Sequence, residues 1–566
     1  MSLVNMKQEK QVTARKSEHS DEVGARAAQA IFGGEDPGEF NFRDAASSVY
    51  GFLQPVNVAR AAVGFSSDFV SILFGKSTIK PDKKDWRFRD PAWEENPVYK
   101  RLAQSYLSFC NSMQTLVPED ANWRTRERAR FGIEVLTSSL SPTNYLIGNP
   151  EAIKRAFETG GKSLAAGGRN FAHDLLHNGG MPTQVDADSF KKGENLAATP
   201  GAVVFRNDVL EIIQYTPTTA KVRQRPTLVI TPQINKYYFL DLAPGRSFVE
   251  YAVGEGVQTF IVSWKNPGPK QGDWNLDTYV EALLEAIDAI RDITGSEDIN
   301  TFGFCAGGIT MSALLGHLAA IGDERVHAAG FAVTLLDFEV PAMIGMLQSD
   351  NLLKSAKARS KNKGVLAGKD LARLFAWFRP NDLVWNYWVN NYLMGKSPPS
   401  FDILAWNADS TNLPGGLHAD FLDIFANNTL TQPGGLSVLG TPVDLGSINC
   451  DTFVTGAIND HLTPWKGCYR TTQMVGGDCT YVLSNAGHIA SLVNPPGNPK
   501  SSYFTNDKIT SDPDEWKGGA VKHQGSWWEE WAKWVDDRSG ESRSAPKNLG
   551  HKDWPPLEPA PGRYID

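Results

Sequence analysis

Between about residue 40 and residue 195, apolar side chains recur every three or four positions. That spacing stacks them on one face of a helix. The stretches Ser67 to Phe74 and Val98 to Met113 show it most clearly, with turns at Asp90-Pro91 and Ser141-Pro142 between helices. Past residue 196 the period changes. Ala202-Val203-Val204-Phe205 and the run Val209 to Tyr215, divided by Arg206-Asn207-Asp208, predict a β-hairpin. Thr227 to Thr231 and Thr259 to Trp264 are short apolar runs, typical of parallel strands buried on both faces. From Asp277 to Ile293, the side chains of Tyr279, Leu283, Ile287 and Ile290 line one helical face. Ile299 to Phe304 is a further strand, followed by a Gly-rich turn and the apolar helix Ile309 to Ala320. Strand and helix in alternation predict a parallel sheet covered on both faces.

The alternation breaks between residues 340 and 435. That stretch carries Trp377, Trp385, Trp388, Tyr392 and Trp406, shows no convincing strand, and reads as a helical insertion over the sheet. Cys450 to Thr455 and Cys479 to Leu483 resume the α/β pattern. An amphipathic segment follows at Trp527 to Val535, and the chain ends in Pro-rich coil. The organisation expected is a flexible polar segment at 1–38, a mostly helical domain at 39–195, and an α/β domain at 196–566. The last carries a cap-like insertion at about 340–435.

Composition narrows the possible functions. With 566 residues, 41% hydrophobic and 21% charged, the chain is not disordered, collagenous or coiled coil as a whole. A net charge of −8 argues against a dedicated nucleic-acid binder. The five cysteines, Cys110, Cys305, Cys450, Cys468 and Cys479, include no CxxC pair. Neither a disulfide framework nor a cysteine zinc site is supported, which points to a reducing compartment. No metal-ligand cluster and no cofactor motif stands out. The most apolar window, Ala328 to Leu347, is interrupted by Asp337, Glu339 and Pro341, so no transmembrane segment is expected. The first 25 residues lack the apolar core of a signal peptide. A cytoplasmic protein is the expectation.

Gly303-Phe304-Cys305-Ala306-Gly307 fits the G-x-S-x-G nucleophile elbow, with cysteine in the serine position. Small flanking residues let a strand turn sharply into a helix and expose the nucleophile, while the helix N-terminus favours a thiolate. Taken alone, Cys305 could equally be a buried structural cysteine in a Gly-rich turn. Asp460 lies just past the strand at 450–455, and His488 just past the strand at 479–483. A solvated aspartate and a packing histidine are the plain alternatives. The chain order Cys, Asp, His is nevertheless that of α/β-hydrolases, and all three sit at strand ends, where such sheets place their sites. In this fold the residue after the nucleophile supplies one oxyanion-hole N–H, here Ala306. The loop after an early strand supplies the other, here Ile234 within Val229 to Lys236, unless Ile234 only packs.

At this point the chain resembles the polyhydroxyalkanoate synthases that work as a single type of subunit. The elbow Gly303 to Gly308 is similar to that family's cysteine-containing lipase-like box. Ile234-Asn235-Lys236-Tyr237-Tyr238, Ser263-Trp264-Lys265-Asn266-Pro267, Asp460-His461-Leu462-Thr463-Pro464-Trp465, Gly487-His488-Ile489 and the tail Glu558 to Tyr564 resemble its other motifs. The likeness runs from about Asp90 to the C-terminus. It implies an α/β-hydrolase fold, (R)-3-hydroxyacyl-CoA substrates, and catalytic roles for Cys305, Asp460 and His488. It also implies a growing polyester chain held at a granule surface, a homodimer, and an aromatic near the active site, here Trp406, which could instead be cap core. Phe304 is like the short-chain group, whereas Gly308-Ile309-Thr310 and Asn494 to Pro499 look like the medium-chain group.

Other features read as ordinary structure. Gly75-Lys76-Ser77, Gly161-Lys162-Ser163 and Gly395-Lys396-Ser397 lack the glycine a phosphate loop needs, having Val70, Ala156 and Asn390 there. The basic run from Lys354 to Lys369 reads as a solvated helix face, with attraction of CoA phosphates as the alternative. Two competing functions stay open at this level: a cysteine-dependent thioesterase or lipase-like hydrolase, and a non-catalytic granule-surface protein.

Overall fold

The helical period of the first third is realised in α1 (Pro55–Leu73), α2 (Pro97–Gln114), α3 (Trp123–Ser139) and α4 (Lys162–His177). This is a computed structural model, and it describes residues 55–342, 345 and 350–566. The expected polar segment 1–38 and the start of the helical domain lie outside the described residues. Internal contacts divide the chain into two units. One comprises residues 55–186, 350–356 and 370–401; the other comprises residues 187–342, 345, 357–369 and 402–566. The sequence from 370 to 401, part of the expected insertion, thus groups with the N-terminal helices.

In the first unit, α2 begins at Asn96-Pro97. The Asn96 side chain accepts from the Val98 N–H at 2.9 Å, and Pro97 needs no acceptor at the first helical position. Helix α1 packs against α2. Among the described residues it is the one helix long and apolar enough, by length and composition, to cross a membrane, and only 6% of its apolar window is buried. Polar contacts fix the rest of this unit. Asp174 of α4 accepts from the Thr183 N–H at 2.9 Å and the Tyr392 hydroxyl at 2.8 Å. The Arg87 guanidinium reaches the Tyr106 hydroxyl at 3.1 Å and Asn381 Oδ1 at 3.0 Å.

The short apolar runs of the second unit assemble into one eleven-stranded sheet. Its strands are β1 (Gly201–Arg206), β2 (Leu210–Tyr215), β3 (Thr227–Ile230), β4 (Thr259–Trp264), β5 (Ile299–Phe304) and β6 (Val326–Ala332). They continue with β7 (Asp451–Ala457), β8 (Cys479–Ser484), β9 (Ser502–Thr505), β10 (Val521–Gln524) and β11 (Glu558–Pro559). Their spatial order is β10-β9-β8-β7-β6-β5-β3-β4-β2-β1-β11. From β4 to β8 all neighbours are parallel, and the flanking strands are antiparallel. Every residue of β3, β4 and β5 is buried, which is why they read as unbroken apolar runs.

Helix α5 (Leu276–Thr294) starts at Asn275, whose side chain accepts from the Thr278 N–H, and stops at left-handed Gly295. Its predicted face of Tyr279, Leu283, Ile287 and Ile290 is buried. Helix α6 (Ala306–Ile321) is apolar on every side and runs through the core. The expected amphipathic segment forms α8 (Trp527–Asp536), after the short helix α7 (His488–Leu492). Trp531 of α8 stacks on Phe302 of β5 at 5.4 Å and meets Phe248 at 4.6 Å.

Two expectations differ from the structure. The Pro-rich tail is not all coil: β11 pairs with β1 as the edge strand of the sheet, Pro559 opposite Ala202, and at an edge the missing N–H is tolerated. The insertion contains a strand contact, Val365–Leu366 against Leu413–Pro414. Two-residue pairs carry no periodicity from which to infer them.

Candidate active site

The site grows out of the carboxyl ends of β5, β7 and β8. At the end of β5, Cys305 takes φ 49 and ψ −121, a conformation a non-glycine residue adopts only when its surroundings enforce it. The enforcement is visible. The Cys305 N–H donates to the Ala332 carbonyl at 2.9 Å, and the Thr334 hydroxyl donates to the Cys305 carbonyl at 3.1 Å. A Cβ on Gly303 would meet the Gly308 main chain, and one on Gly308 the Thr334 side chain. A Cβ on Gly307 would lie against the carbonyls of Ile230 and Thr231. The strand-turn-helix closes only with glycine at all three. Ala306 is the first residue of α6, so its N–H has no acceptor within that helix.

The loop carrying Ile234 follows β3, the strand paired to β5 with Ile230 opposite Gly303. That adjacency brings the loop to the elbow. Gln233 Nε2 donates to the Thr310 hydroxyl of α6 at 2.9 Å, and Trp264 Nε1 donates to the Thr231 carbonyl at 2.7 Å. Asn235, next to Ile234, adopts a left-handed φ of 67°, which asparagine tolerates better than most residues.

Asp460 follows β7, and His488 opens α7 after β8. The two strands are parallel neighbours, with Ala457 opposite Ser484, so their following loops meet. His488 Nδ1 lies 2.6 Å from Asp460 Oδ2, and both residues are buried. Asp460 also accepts from the N–H groups of Leu462 and Thr463, each at 2.9 Å, and from the Thr463 hydroxyl at 2.7 Å. Burial works against the carboxylate, but the charge of His488 and these hydrogen bonds together hold the Asp460 pKa below its usual range. Burial likewise works against a charged imidazole. The Asp460 carboxylate, the Cys305 side chain and hydrogen bonds to both raise the His488 pKa well above that of an ordinary histidine. The three predicted residues are therefore brought together, in the order Cys305, His488, Asp460.

Cys450 and Cys479 lie in different surroundings. Burial pushes the Cys450 thiol up to about 11 and the Cys479 thiol up to about 12. Trp406 is buried, its ring 5.3 Å from Phe239, and its Nε1 donates to the Lys236 carbonyl at 2.7 Å. Through Lys236 it holds the loop that carries Ile234.

Thr463, whose hydroxyl donates to Asp460, and Thr334, which braces Cys305, are parts of the site whose roles the motifs alone do not reveal. Thr463 was accessible in principle, because an aspartate commonly accepts from N–H groups two and three residues on. Thr334 sits past β6 and is near Cys305 only through strand pairing. No local signal marks it.

Residues 84–252 match the family model for the poly-beta-hydroxybutyrate polymerase (PhaC) N-terminus, and residues 235–495 match the alpha/beta hydrolase fold model. The chain is 47% identical over 513 residues to poly(3-hydroxyalkanoate) polymerase 1 of Ectopseudomonas oleovorans, covering 90% of this chain and 92% of that protein. It is 39% identical over 546 residues to the poly(3-hydroxyalkanoate) polymerase subunit PhaC of Cupriavidus necator, covering 93% of this chain and 92% of that one. With an α/β-hydrolase sheet and likeness along nearly its whole length, the chain belongs to the poly(3-hydroxyalkanoate) polymerases, a family of acyltransferases.

Proposed function

We propose that the protein polymerises (R)-3-hydroxyacyl-CoA thioesters into polyester through a covalent Cys305 acyl-enzyme. The observation that carries this reading is the buried Asp460–His488 pair beside a cysteine set on a strained strand-to-helix turn. In acylation, His488 takes the Cys305 proton, and Sγ attacks the thioester carbonyl. The tetrahedral oxyanion is stabilised by the N–H groups of Ala306 and Ile234. Collapse breaks the carbon–sulfur bond to CoA, which leaves as its thiol after recovering the proton from His488. One thioester has replaced another, so the acyl group stays activated.

In elongation, the 3-hydroxyl of another acyl unit attacks the Cys305 thioester while His488 accepts its proton. An ester bond forms, the Cys305 sulfur leaves, and the chain is longer by one unit. Nδ1 of His488 faces Asp460, which leaves Nε2 to carry the proton in both steps. The family likeness supports the rest of the reading: a homodimer in the cytoplasm, working at the surface of polyester granules.

The test is incubation with (R)-3-hydroxybutyryl-CoA. CoA release with polymer supports the reading, and CoA release with free acid alone makes the protein a thioesterase. No CoA release from any member of a chain-length panel overturns it.

A further inference from the structure

A second charged cluster lies away from the Cys-His-Asp set, at the far end of the loop that carries Ile234. Lys236 is only 4% exposed. An ammonium is costly to bury unless it is paired. Its Nζ donates to the Asp566 main-chain oxygen at 2.9 Å. Burial and the neighbouring Lys192 pull its pKa down, while the charges of Asp409 and Asp566 support it. Asp409 is held in turn by the Tyr238 hydroxyl at 2.9 Å and Lys192 Nζ at 3.1 Å. Lys192 also donates to the Ile565 carbonyl at 2.9 Å and pairs with Asp566 Oδ1 at 3.2 Å. Lys192, Asp409 and Asp566, from three other stretches of chain, thus form one charged cluster with the Lys236 ammonium.

The same residue is gripped at its main chain. The Trp406 indole donates to the Lys236 carbonyl, three residues before Asp409 on the same stretch. Lys236 therefore has its carbonyl and its ammonium tied to one structural block. Between Lys236 and Ile234 stands left-handed Asn235, where a small rotation would swing the Ile234 N–H. A buried ion cluster is a poor source of stability compared with apolar residues of the same volume. What it does supply is a defined direction at both ends of one residue.

We propose that Lys236, held at its ammonium by Asp566 and at its carbonyl by Trp406, with Lys192 and Asp409 bracing those partners, is a positioning residue that aims the Ile234 N–H at the developing oxyanion. The inference rests on the reading of Ile234 as an oxyanion donor. Lys236 touches no reacting atom. It acts through the loop, so its loss weakens transition-state stabilisation while leaving the thiol and its base intact. Removing an oxyanion donor costs about 10²–10³-fold in kcat, and a displaced donor retains part of that.

The experiment compares Lys236→Met, Lys236→Arg and Asp409→Asn with the unaltered chain in two reactions. One is single-turnover CoA release from (R)-3-hydroxybutyryl-CoA. The other is alkylation of Cys305 by iodoacetamide, which needs the thiolate but no oxyanion hole. Lys236→Met should lower the acylation rate by about 10–100-fold with KM within about threefold, and leave alkylation within about twofold. Lys236→Arg should recover part of the loss, and Asp409→Asn should show the same split more weakly. If Lys236→Met does not fold, the split in Asp409→Asn decides. Equal falls in acylation and alkylation would make the cluster merely structural and overturn the inference, as would unchanged acylation. Absence of acylation in the unaltered chain would instead overturn the reading of the site, a result separable from any variant.

Discussion

The sheet unit and the helical unit hold themselves together by different means. In the sheet unit a large core runs from Val204 to Trp516, joining the strands to α5, α6 and the loops that build the site, and an aromatic layer of Phe248, Phe302 and Trp531 is buried behind β5. In the helical unit the apolar contacts are small and separate. One groups Phe88, Trp93, Ala103 and Tyr106; another groups Leu116, Val117, Ala129 and Ile133. Large apolar side chains there stand in the open, with Val63 at 70%, Phe157 at 84% and Ile147 at 85% exposure. The polar knots around Arg87 and Asp174 take up part of the work that a core does elsewhere. A strained turn such as that at Cys305 requires a surrounding that over-determines it, and among the described residues the left-handed non-glycine positions all lie in the sheet unit. Chemistry and packing therefore coincide in one unit.

The sharpest way to break that pairing is at the nucleophile. Cys305→Ala should abolish the acyl-enzyme and lower polymer formation by about 10⁴-fold or more, since only binding and oxyanion stabilisation remain. Intact-protein mass after incubation with substrate checks it. An acyl chain still attached to the variant would move the chemistry to another residue. Next in size is the aromatic layer behind β5. Trp531→Ala removes a ring packed on Phe302 and Phe248 and should cost about 3–5 kcal/mol in denaturant unfolding. A loss below about 1 kcal/mol would mean that the aromatic layer behind β5 does not brace the elbow.

How much of this was legible follows from the same physics. The strands β3, β4 and β5 are buried on both faces and lie within a residue of the runs read from the sequence. Strong periodicity likewise placed α2 and α5. Strands β9 and β10, four residues each, went unseen because β10 is largely exposed and carries no apolar alternation. Cys305, Asp460 and His488 could be named because each follows a readable strand and has a motif of its own. Thr334, Lys192 and Asp409 could not, because their partners come from strand pairing or from residues far along the chain. Charge clusters assembled from four segments leave no local pattern.

A smaller effect separates the two partners of Cys305. A thiol at a helix N-terminus beside a histidine needs less help from a carboxylate than the hydroxyl attacking in elongation. Asp460→Asn should thus still acylate Cys305 in a single turnover but elongate poorly, whereas His488→Gln should fail at both. Equal loss of both steps in Asp460→Asn would end that division of labour. Stability carries the same signature. The raised His488 pKa contributes stability that is full below about pH 6.5, the unfolded value, and is lost as pH rises through the folded value. The lowered Asp460 pKa contributes stability present above about pH 3.9 and lost as pH falls through its folded value. Asp460→Asn should therefore lose about 1–3 kcal/mol between about pH 4 and 6.5, and the gap should narrow at higher pH. A gap that widens with pH in thermal unfolding would contradict the ion pair.

The smallest expected effect lies in the helical unit and tests the comparison from its weak side. Phe157 sits at 84% exposure, so the folded chain hides little of its ring from water. Phe157→Ser removes a contact that the fold hardly uses, and should change unfolding free energy by no more than about 0.5 kcal/mol. The same substitution made in the sheet core would open a cavity and leave a hydroxyl without a partner, as Trp531→Ala opens one behind the elbow. Unfolding of the Phe157 variant should be followed at two protein concentrations differing by about 100-fold, because a ring covered in an assembly stabilises by mass action. A loss above about 2 kcal/mol that shrinks on dilution would show that this ring is covered by another chain in solution. The exposed apolar surface of the helical unit would then be the unfinished half of a core, and the contrast between the two units would belong to the single chain rather than to the protein at work.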